Sequence, residues 1–219
     1  MTMHLPIQAV IFDCDGTLVD SEPLGFIALL EEGALHGMDP GAAEALAQHK
    51  GASMATQIAV MQQHVPQPLP ADFETTLRAR MARLFRERLL PMPGAYEVVA
   101  NLGLPCCVAT NGPRHKTELT LGLCGLLPLF EGALFSAYDI GRFKPAPDLY
   151  LHAAGAMGVP PAQCAVVEDS LPGMQAGLAA GMTVFALGPP DMVLPPNGGS
   201  RIERIASLSE LPARLAAAR

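Results

Sequence analysis

Short apolar runs alternate with amphipathic segments along most of the chain. These runs lack the polar alternation of a half-exposed strand, so we expect strands of a parallel sheet that helices cover on both faces. The predicted strands are 9–12, 106–109, 133–135, 164–167 and 183–186. The predicted helices between and after them are 94–102, 117–123, 147–157, 172–180 and 208–217. The segment 188–199 is rich in glycine and proline, and this composition predicts a surface loop.

Residues 18–89 interrupt this alternation, because they show helical periodicity and contain no strand-like run. A first helix is predicted to begin at Ser21-Glu22-Pro23, which offers a helix N-cap residue and a proline suited to the first turn. Further helices are predicted over 41–48, 53–64 and 71–90. The last helix carries several arginines among its apolar positions, and we expect most of them to form a solvated face. These arginines are Arg78, Arg80, Arg83, Arg86 and Arg88. The region is therefore predicted to be a helical insertion after the first strand.

Composition narrows the class of protein. The 219 residues suit one large domain or a core with a modest insertion, and the net charge of −7 argues against a nucleic-acid or anionic membrane partner. No apolar stretch is long enough to cross a membrane, and Met1–Val10 has no targeting signal.

The cysteines are odd in number and have no metal-type spacing, which predicts reduced core thiols and a cytoplasmic location. They are Cys14, Cys106, Cys107, Cys124 and Cys164.

Two aspartates follow the first apolar run directly. Asp13 and Asp15 are two residues apart, and the alternation of a strand turns both side chains to the same side at its carboxyl end. Two clustered carboxylates repel each other unless a cation or a shared proton relieves the repulsion. The pair therefore predicts a Mg²⁺ site with nucleophilic or acid–base chemistry. The alternative is an aspartate-rich turn that closes the strand.

Polar residues that suit phosphate chemistry follow the other predicted strands. Thr110-Asn111-Gly112 ends the second strand, Lys144 follows the third, and Glu168-Asp169-Ser170 ends the fourth. Each motif alone is typical of a turn or of a helix start. The carboxyl ends of parallel strands converge, however, so the motifs should meet at one edge of the sheet. Together with Asp13 and Asp15 they supply a nucleophilic carboxylate, a second carboxylate, a metal-binding acid, a hydroxyl, an amide and a fixed cation. These are the parts that phosphoryl transfer requires.

With these four motifs in order, the chain resembles the haloacid dehalogenase superfamily of phosphohydrolases. It is most similar to the subgroup with a helical cap inserted after the first motif, which includes β-phosphoglucomutase-like and 6-phosphogluconate phosphatase-like enzymes. The resemblance implies an α/β fold with a Rossmann-like parallel sheet core flanked by helices. It also implies a discontinuous core of residues 1–17 and 90–219 and an all-α cap of residues 18–89, which closes over the core.

The resemblance implies a Mg²⁺-dependent phosphatase that acts on a sugar phosphate, or on a sugar acid phosphate such as 6-phosphogluconate, through an aspartyl-phosphate. Asp13 would be the nucleophile and Asp15 the general acid and base. The phosphate would be bound by Thr110, Asn111 and Lys144. The metal would be bound by Asp13, Asp15, Asp169 and Glu168. Glu168 would either bind the metal directly or lie next to the residues that bind it, without touching the metal itself.

Other members of the superfamily fit the sequence less well. The dehalogenases and the enzymes that cleave carbon–phosphorus bonds lack an aspartate equivalent to Asp15. β-Phosphoglucomutase is the closer alternative, but Gly25 stands where the mutase has a cap histidine. Met54 likewise stands where the mutase has an arginine for a second phosphate. A non-catalytic phosphometabolite-binding protein on the same scaffold is a further alternative.

Substrate choice is expected to depend on basic residues in or facing the cleft. We hypothesise that Lys50, with Arg114 or Lys116, recognises the carboxylate or hydroxyls of a sugar acid phosphate. The alternative for Arg114 and Lys116 is a solvated helix start. The expected partner is a small phosphorylated metabolite, with no nucleic acid and no membrane, and the expected assembly is a monomer or a weak homodimer.

Overall fold

The computed structural model describes residues 6–49, 53–130 and 132–217. Within these ranges the chain forms two compact units. The first unit comprises the chain through Val19 and from Leu90 onward, and we call it the core unit. The second is Asp20–Leu89, the helical insertion. Each unit has buried apolar side chains of its own.

A parallel sheet organises the core unit. In the described part of the chain it has six strands in the order β3-β2-β1-β4-β5-β6. Their bounds are β1 Ala9–Phe12, β2 Cys106–Thr110, β3 Leu134–Ser136, β4 Cys164–Glu168, β5 Thr183–Leu187 and β6 Ile202–Ile205. Every neighbouring pair is parallel, which confirms the predicted sheet. All four residues of β1 are fully buried, because the central strand is covered on both faces.

The direction of winding changes at β1. From this central strand the chain builds β2 and β3 on one side, and then β4, β5 and β6 on the other. Phe12, the last residue of β1, pairs with Val108 of β2 and Val167 of β4. The residues that follow these positions therefore meet at one edge of the sheet. In open α/β sheets, ligands bind outside the carboxyl ends of the strands at such a switch point.

The sixth strand was not predicted. Ile202–Ile205 has an apolar residue only at each end, and its middle residues Glu203 and Arg204 are exposed. It is a strand because it pairs with β5 at the edge of the sheet, and this pairing has no local sequence signal. The segment 188–199, predicted to be a loop, has turns and no strand or α-helix.

Four α-helices form the described part of the helical insertion: α1 Glu22–Leu35, α2 Ala42–Ala47, α3 Met54–Gln62 and α4 Phe73–Arg88. An ion pair joins α1 to α4, because Arg80 Nε donates to Oε2 of the buried Glu32 at 2.6 Å. Arg78 and Arg83 of α4 also pair with glutamates, whereas Arg86 and Arg88 are exposed. The predicted solvated face of α4 is therefore partly a network of ion pairs within the insertion.

The helices of the core unit lie between and after the strands. Those in the described residues are α5 Ala95–Ala100, α6 Arg114–Leu123, α7 Ala137–Ile140, α8 Asp148–Met157, α9 Leu171–Ala179 and α10 Leu211–Ala217. Helix α6 begins at Arg114, three residues before the predicted start at Thr117, and the short α7 was not predicted. Among the described helices, none combines the length and the apolar character needed to span a membrane.

Candidate active site

Three carboxylates gather at the carboxyl edge of the sheet, where β1 lies beside β4. Asp13 follows β1, Glu168 is the last residue of β4, and Asp169 comes next. One side-chain oxygen of each lies within 4.8 Å of those of the other two. Carboxylate oxygens are the ligands that hard divalent cations such as Mg²⁺ prefer. The donor set and its spacing therefore fit such a cation.

The ammonium group of Lys144 lies among these carboxylates. Its Nζ is 2.5 Å from Asp13 Oδ1 and 2.7 Å from Glu168 Oε1, and the lysine side chain is only 2% exposed. A buried charge is costly unless it is paired and hydrogen-bonded, and two carboxylates satisfy this requirement here. The structure thus brings together Asp13, Lys144, Glu168 and Asp169, which lie far apart in the sequence.

Glu168 is fully buried and accepts hydrogen bonds on both oxygens. Oε1 accepts from Lys144 and from the hydroxyl of Tyr150 at 3.0 Å. Oε2 accepts from the backbone N–H of Ser170 at 2.9 Å and from its hydroxyl at 2.8 Å. A carboxylate offers about four lone-pair sites, so these four donors hold the side chain of Glu168 in one orientation.

Burial and charge shift the pKa values of the central pair. Burial raises the pKa of Asp13 to about 7, although Lys144 acts in the opposite direction; Glu168 and Asp15 add to the increase. Burial alone would lower the pKa of Lys144, but the carboxylates of Asp13 and Glu168 outweigh it and raise this pKa well above its usual range. The lysine is therefore a permanent cation beside a carboxyl group that titrates near neutral pH.

The raised pKa of Asp13 predicts a pH-dependent stability. In the absence of metal, the folded state holds the Asp13 proton up to about pH 7, whereas the unfolded state releases it near 3.8. The wild type should therefore lose stability as the pH rises from 5 to 7, relative to Asp13→Asn, by about 2–3 kcal/mol. Urea unfolding of both proteins in EDTA at pH 5 and pH 8 measures this difference. Parallel pH profiles would contradict it.

The side chain of Asp169 is oriented by the segment after Asp15. Thr17 Oγ1 donates to Asp169 Oδ1 at 2.9 Å. Gly16 has a φ of +78°, which favours glycine, and a Cβ built on it would overlap Oδ2 of Asp169. The turn Asp15-Gly16-Thr17 therefore ends the first motif and also fixes the side chain of Asp169 in the fourth motif.

Asp15 lies beside a second lysine of the core unit. Lys116, in the first turn of α6, forms an ion pair with Asp15 through Nζ and Oδ1. Burial would lower the pKa of Lys116, but the neighbouring Asp15 and Cys14 raise it. The predicted specificity residue Lys116 thus contacts the carboxylate for which we predicted proton transfer.

The turn after β2 is tied to its neighbours by hydrogen bonds. Thr110 Oγ1 accepts from the N–H of Gly112 at 2.9 Å, and Ser136 Oγ donates to the carbonyl of Gly112 at 2.7 Å. The side chain of Asn111 makes two hydrogen bonds to the backbone of Lys144. The structure therefore brings the three predicted phosphate-binding residues, Thr110, Asn111 and Lys144, to the same edge of the sheet.

Of the other two candidate specificity residues, Arg114 is paired with residues that are not part of the carboxylate cluster, and Lys50 is not among the described residues. The guanidinium of Arg114 donates from Nε and Nη2 to Asp139 Oδ2 at 3.0 and 2.7 Å, and from Nη2 to the carbonyl of Leu134 at 2.8 Å. These contacts compete with any substrate for the Arg114 guanidinium.

The sequence predicts no role for three residues that contact the site carboxylates: Thr17, Ser170 and Tyr150. The first two are adjacent to predicted site residues, so their proximity was a usable signal. Tyr150 is different, because it reaches Glu168 only through the packing of α8 against the sheet. Its hydroxyl bonds to Glu168, and Lys144 Nζ lies 4.7 Å from the centre of its ring.

The fold and the site define an α/β enzyme with an acidic, lysine-containing centre at the switch point of a parallel sheet. A family model described as haloacid dehalogenase-like hydrolase matches residues 7–181. The chain belongs to this family of hydrolases. Its curated relatives identify it further as an enzyme of the phosphatase type.

The curated relatives include two phosphatases of Escherichia coli K12. The chain is 39% identical to 6-phosphogluconate phosphatase over 183 residues, which cover 82% of the chain and 81% of that protein. It is 34% identical to hexitol phosphatase B over 219 residues, which cover 98% of both proteins. Among solved structures, a haloacid dehalogenase family hydrolase from Deinococcus radiodurans with bound phosphate and sodium has a TM-score of 0.76 and 32% identity. That alignment covers 97% of this chain and 96% of the other.

Proposed function

We propose that this protein is a Mg²⁺-dependent phosphatase that hydrolyses a small phosphorylated metabolite through an aspartyl-phosphate on Asp13. The proposed substrate is a sugar phosphate or a sugar acid phosphate such as 6-phosphogluconate. The observation that carries the proposal is the buried ammonium of Lys144, 2.5 Å from Asp13 Oδ1, within a cluster of three carboxylates. This arrangement combines a nucleophilic carboxylate, an anion-binding cation and oxygen ligands for a metal.

The proposed reaction has two steps. In the first, an oxygen of Asp13 attacks phosphorus, the bond from phosphorus to the leaving oxygen breaks, and Asp15 donates a proton to that oxygen. In the second, water attacks the phosphorus of the aspartyl-phosphate while Asp15 accepts a proton from the water. The bond between phosphorus and Asp13 then breaks and releases inorganic phosphate. A covalent intermediate divides one difficult displacement into two easier ones.

Lys144 and the turn after β2 are proposed to bind the phosphoryl oxygens. Lys144 is a permanent cation, and a fixed positive charge stabilises the negative charge that spreads over these oxygens in the transition state. Thr110 contributes a hydroxyl from the end of β2, and Asn111 follows it directly. The ties from Ser136 to Gly112 and from Asn111 to Lys144 support a preorganised anion site.

Asp13 and Asp169, with the backbone carbonyl of Asp15, are proposed to hold Mg²⁺, and Glu168, whose two oxygens already accept four hydrogen bonds, is proposed to lie behind these ligands. The three clustered carboxylates fit the ion, because their oxygens lie within 4.8 Å of one another and carry more negative charge than Lys144 offsets. When bound, the cation supplies positive charge that reduces repulsion between the Asp13 carboxylate and the phosphate dianion. Thr17 and Gly16 orient Asp169 for this role.

We propose that the helical insertion acts as a cap that selects the substrate and excludes water from the reaction. Lys50, with Arg114 or Lys116, is proposed to recognise the substrate; in the structure Arg114 is paired with Asp139 and Lys116 with Asp15. The two curated relatives act, by their names, on 6-phosphogluconate and on hexitol phosphates, and they support a sugar-derived substrate. The reduced thiols of the five unbridged cysteines support a cytoplasmic enzyme.

A substrate panel tests the proposed function. Phosphate release is measured from 6-phosphogluconate, hexitol phosphates, hexose phosphates and p-nitrophenyl phosphate, with Mg²⁺ and with EDTA. We expect release that requires Mg²⁺ and is highest for one of the sugar-derived esters. A product isomer that forms without net phosphate release, and only with an activating bisphosphate, would indicate a mutase. Binding of the esters without any turnover would indicate a phosphometabolite-binding protein.

A further inference from the structure

The side-chain amide of Asn111 is paired with the backbone of Lys144. Asn111 Oδ1 accepts from the N–H of Lys144 at 2.9 Å, and Asn111 Nδ2 donates to the carbonyl of Lys144 at 3.3 Å. One planar group thus satisfies both backbone polar groups of a single residue. We call this pair of hydrogen bonds the Asn111 clamp.

The clamp acts on a segment that has no regular structure of its own. Lys144 lies between α7, which ends at Ile140, and α8, which begins at Asp148, so neither helix pairs its backbone. Lys144 is nevertheless buried, and a buried backbone group without a partner is costly. Asn111 follows the last residue of β2 directly, and it therefore ties the position of Lys144 to the rigid sheet.

We propose that Asn111 is a positioning residue for Lys144, and that it sets where the lysine ammonium lies relative to Asp13 and Glu168. The long side chain of lysine has many rotamers, so a fixed backbone is needed to bring Nζ to 2.5 Å from Asp13 and 2.7 Å from Glu168. The proposal rests on the proposed function in one respect: Lys144 must bind phosphate for the clamp to affect phosphate binding.

Asparagine is suited to this role by its chemistry. Its amide carries a donor and an acceptor side by side, whereas aspartate of the same shape accepts and does not donate when ionised. Asn111→Asp should therefore keep the bond from the Lys144 N–H and lose the bond to the Lys144 carbonyl. Asn111→Ala should lose both bonds. Asn101→Ala is a matched control, because Asn101, an exposed residue just after the end of α5, donates from Nδ2 to the backbone carbonyl of Glu97.

A double-mutant cycle tests whether Asn111 acts through Lys144. The dissociation constant of inorganic phosphate with Mg²⁺ is measured for the wild type, Asn111→Ala, Lys144→Ala and the double variant. We expect Asn111→Ala to weaken binding about tenfold in the wild type and less than about twofold in the Lys144→Ala background. Asn101→Ala should leave binding unchanged. An equal loss in both backgrounds would overturn the proposal, because Asn111 would then act independently of Lys144.

Hydrogen exchange of the Lys144 amide is a readout that requires no activity. Pro145 and Pro147 have no amide hydrogen, so few neighbouring amides contribute exchange that could be confused with that of Lys144. Exchange should accelerate at least about tenfold in Asn111→Ala, remain slow in Asn111→Asp and remain slow in Asn101→Ala. Unchanged exchange in Asn111→Ala would overturn the clamp even in an active phosphatase. Faster exchange in a protein that hydrolyses no ester would support the clamp and reject the proposed function.

Discussion

Asp13→Asn is expected to lower phosphate release by at least about a thousandfold, because the amide oxygen does not form an acyl phosphate and the nucleophile is lost. The same change removes one of the three clustered carboxylates, so the affinity for Mg²⁺ should also fall. Steady-state release from the best substrate of the panel gives the rate. Covalent labelling with radioactive phosphate should be detected on the wild-type chain and not on the variant.

A matched substitution separates this effect from a general change of charge. Asp191 is an exposed aspartate of the core unit, and Asp191→Asn should retain wild-type activity. Urea unfolding should show that Asp13→Asn is folded at pH 8 and at least as stable as the wild type in EDTA, since the desolvation of a buried carboxylate is relieved. Activity of the folded Asp13→Asn variant within tenfold of the wild type would rule out Asp13 as the nucleophile.

Gly173→Ala is expected to lower both stability and activity, although it adds one methyl group. A Cβ built on Gly173, in the first turn of α9, would overlap Cδ and Oε1 of Glu168. Glu168 is fully buried and bonded to Lys144, Tyr150 and Ser170, so moving it breaks several buried hydrogen bonds. We expect a loss of about 2–4 kcal/mol in the free energy of unfolding. The turnover number should fall about a hundredfold, because Lys144 loses a partner that orients it.

Gly155→Ala is the matched control for this prediction. Gly155 lies in α8 with no atom within 4 Å of an added Cβ, and it is exposed. Alanine is favoured over glycine in a helix, so Gly155→Ala should stabilise the protein by about 0.5–1 kcal/mol and leave turnover unchanged. Denaturant unfolding and steady-state kinetics on both variants provide the comparison. If Gly173→Ala matched Gly155→Ala in stability and turnover, Glu168 would not be rigidly held.

The parallel sheet could be predicted because its central strands are continuous apolar runs. Residues 9–12 and 164–167 are all buried, and a strand covered on both faces leaves this pattern in the sequence. The edge strand Ile202–Ile205 left no such pattern. Its exposed Glu203 and Arg204 do not resemble a buried strand, and its backbone bonds to β5 depend on where the sheet ends.

The candidate site was predicted for a similar reason. Asp13, Thr110 and Glu168-Asp169 follow apolar runs, and the carboxyl ends of parallel strands must meet. The immediate neighbours of Lys144 indicate only a turn or a helix start, because the residue lies in a segment between two helices. Its assignment depended on the order of the four motifs along the chain, and the structure then brought its Nζ to Asp13 and Glu168.

The sequence by itself determined the parallel sheet, the helical insertion after the first strand, and the identity of the charged and hydroxyl groups that meet at the sheet edge. These features are local, because apolar periodicity and the residues that follow a strand can be identified within a short stretch of consecutive residues. Only the tertiary structure decided the partners of those groups: the Asn111 clamp on Lys144, the Tyr150 hydroxyl on Glu168, and the ion pair between Lys116 and Asp15. Such contacts join distant segments, and their distances depend on how helices pack on the sheet, which no local pattern encodes.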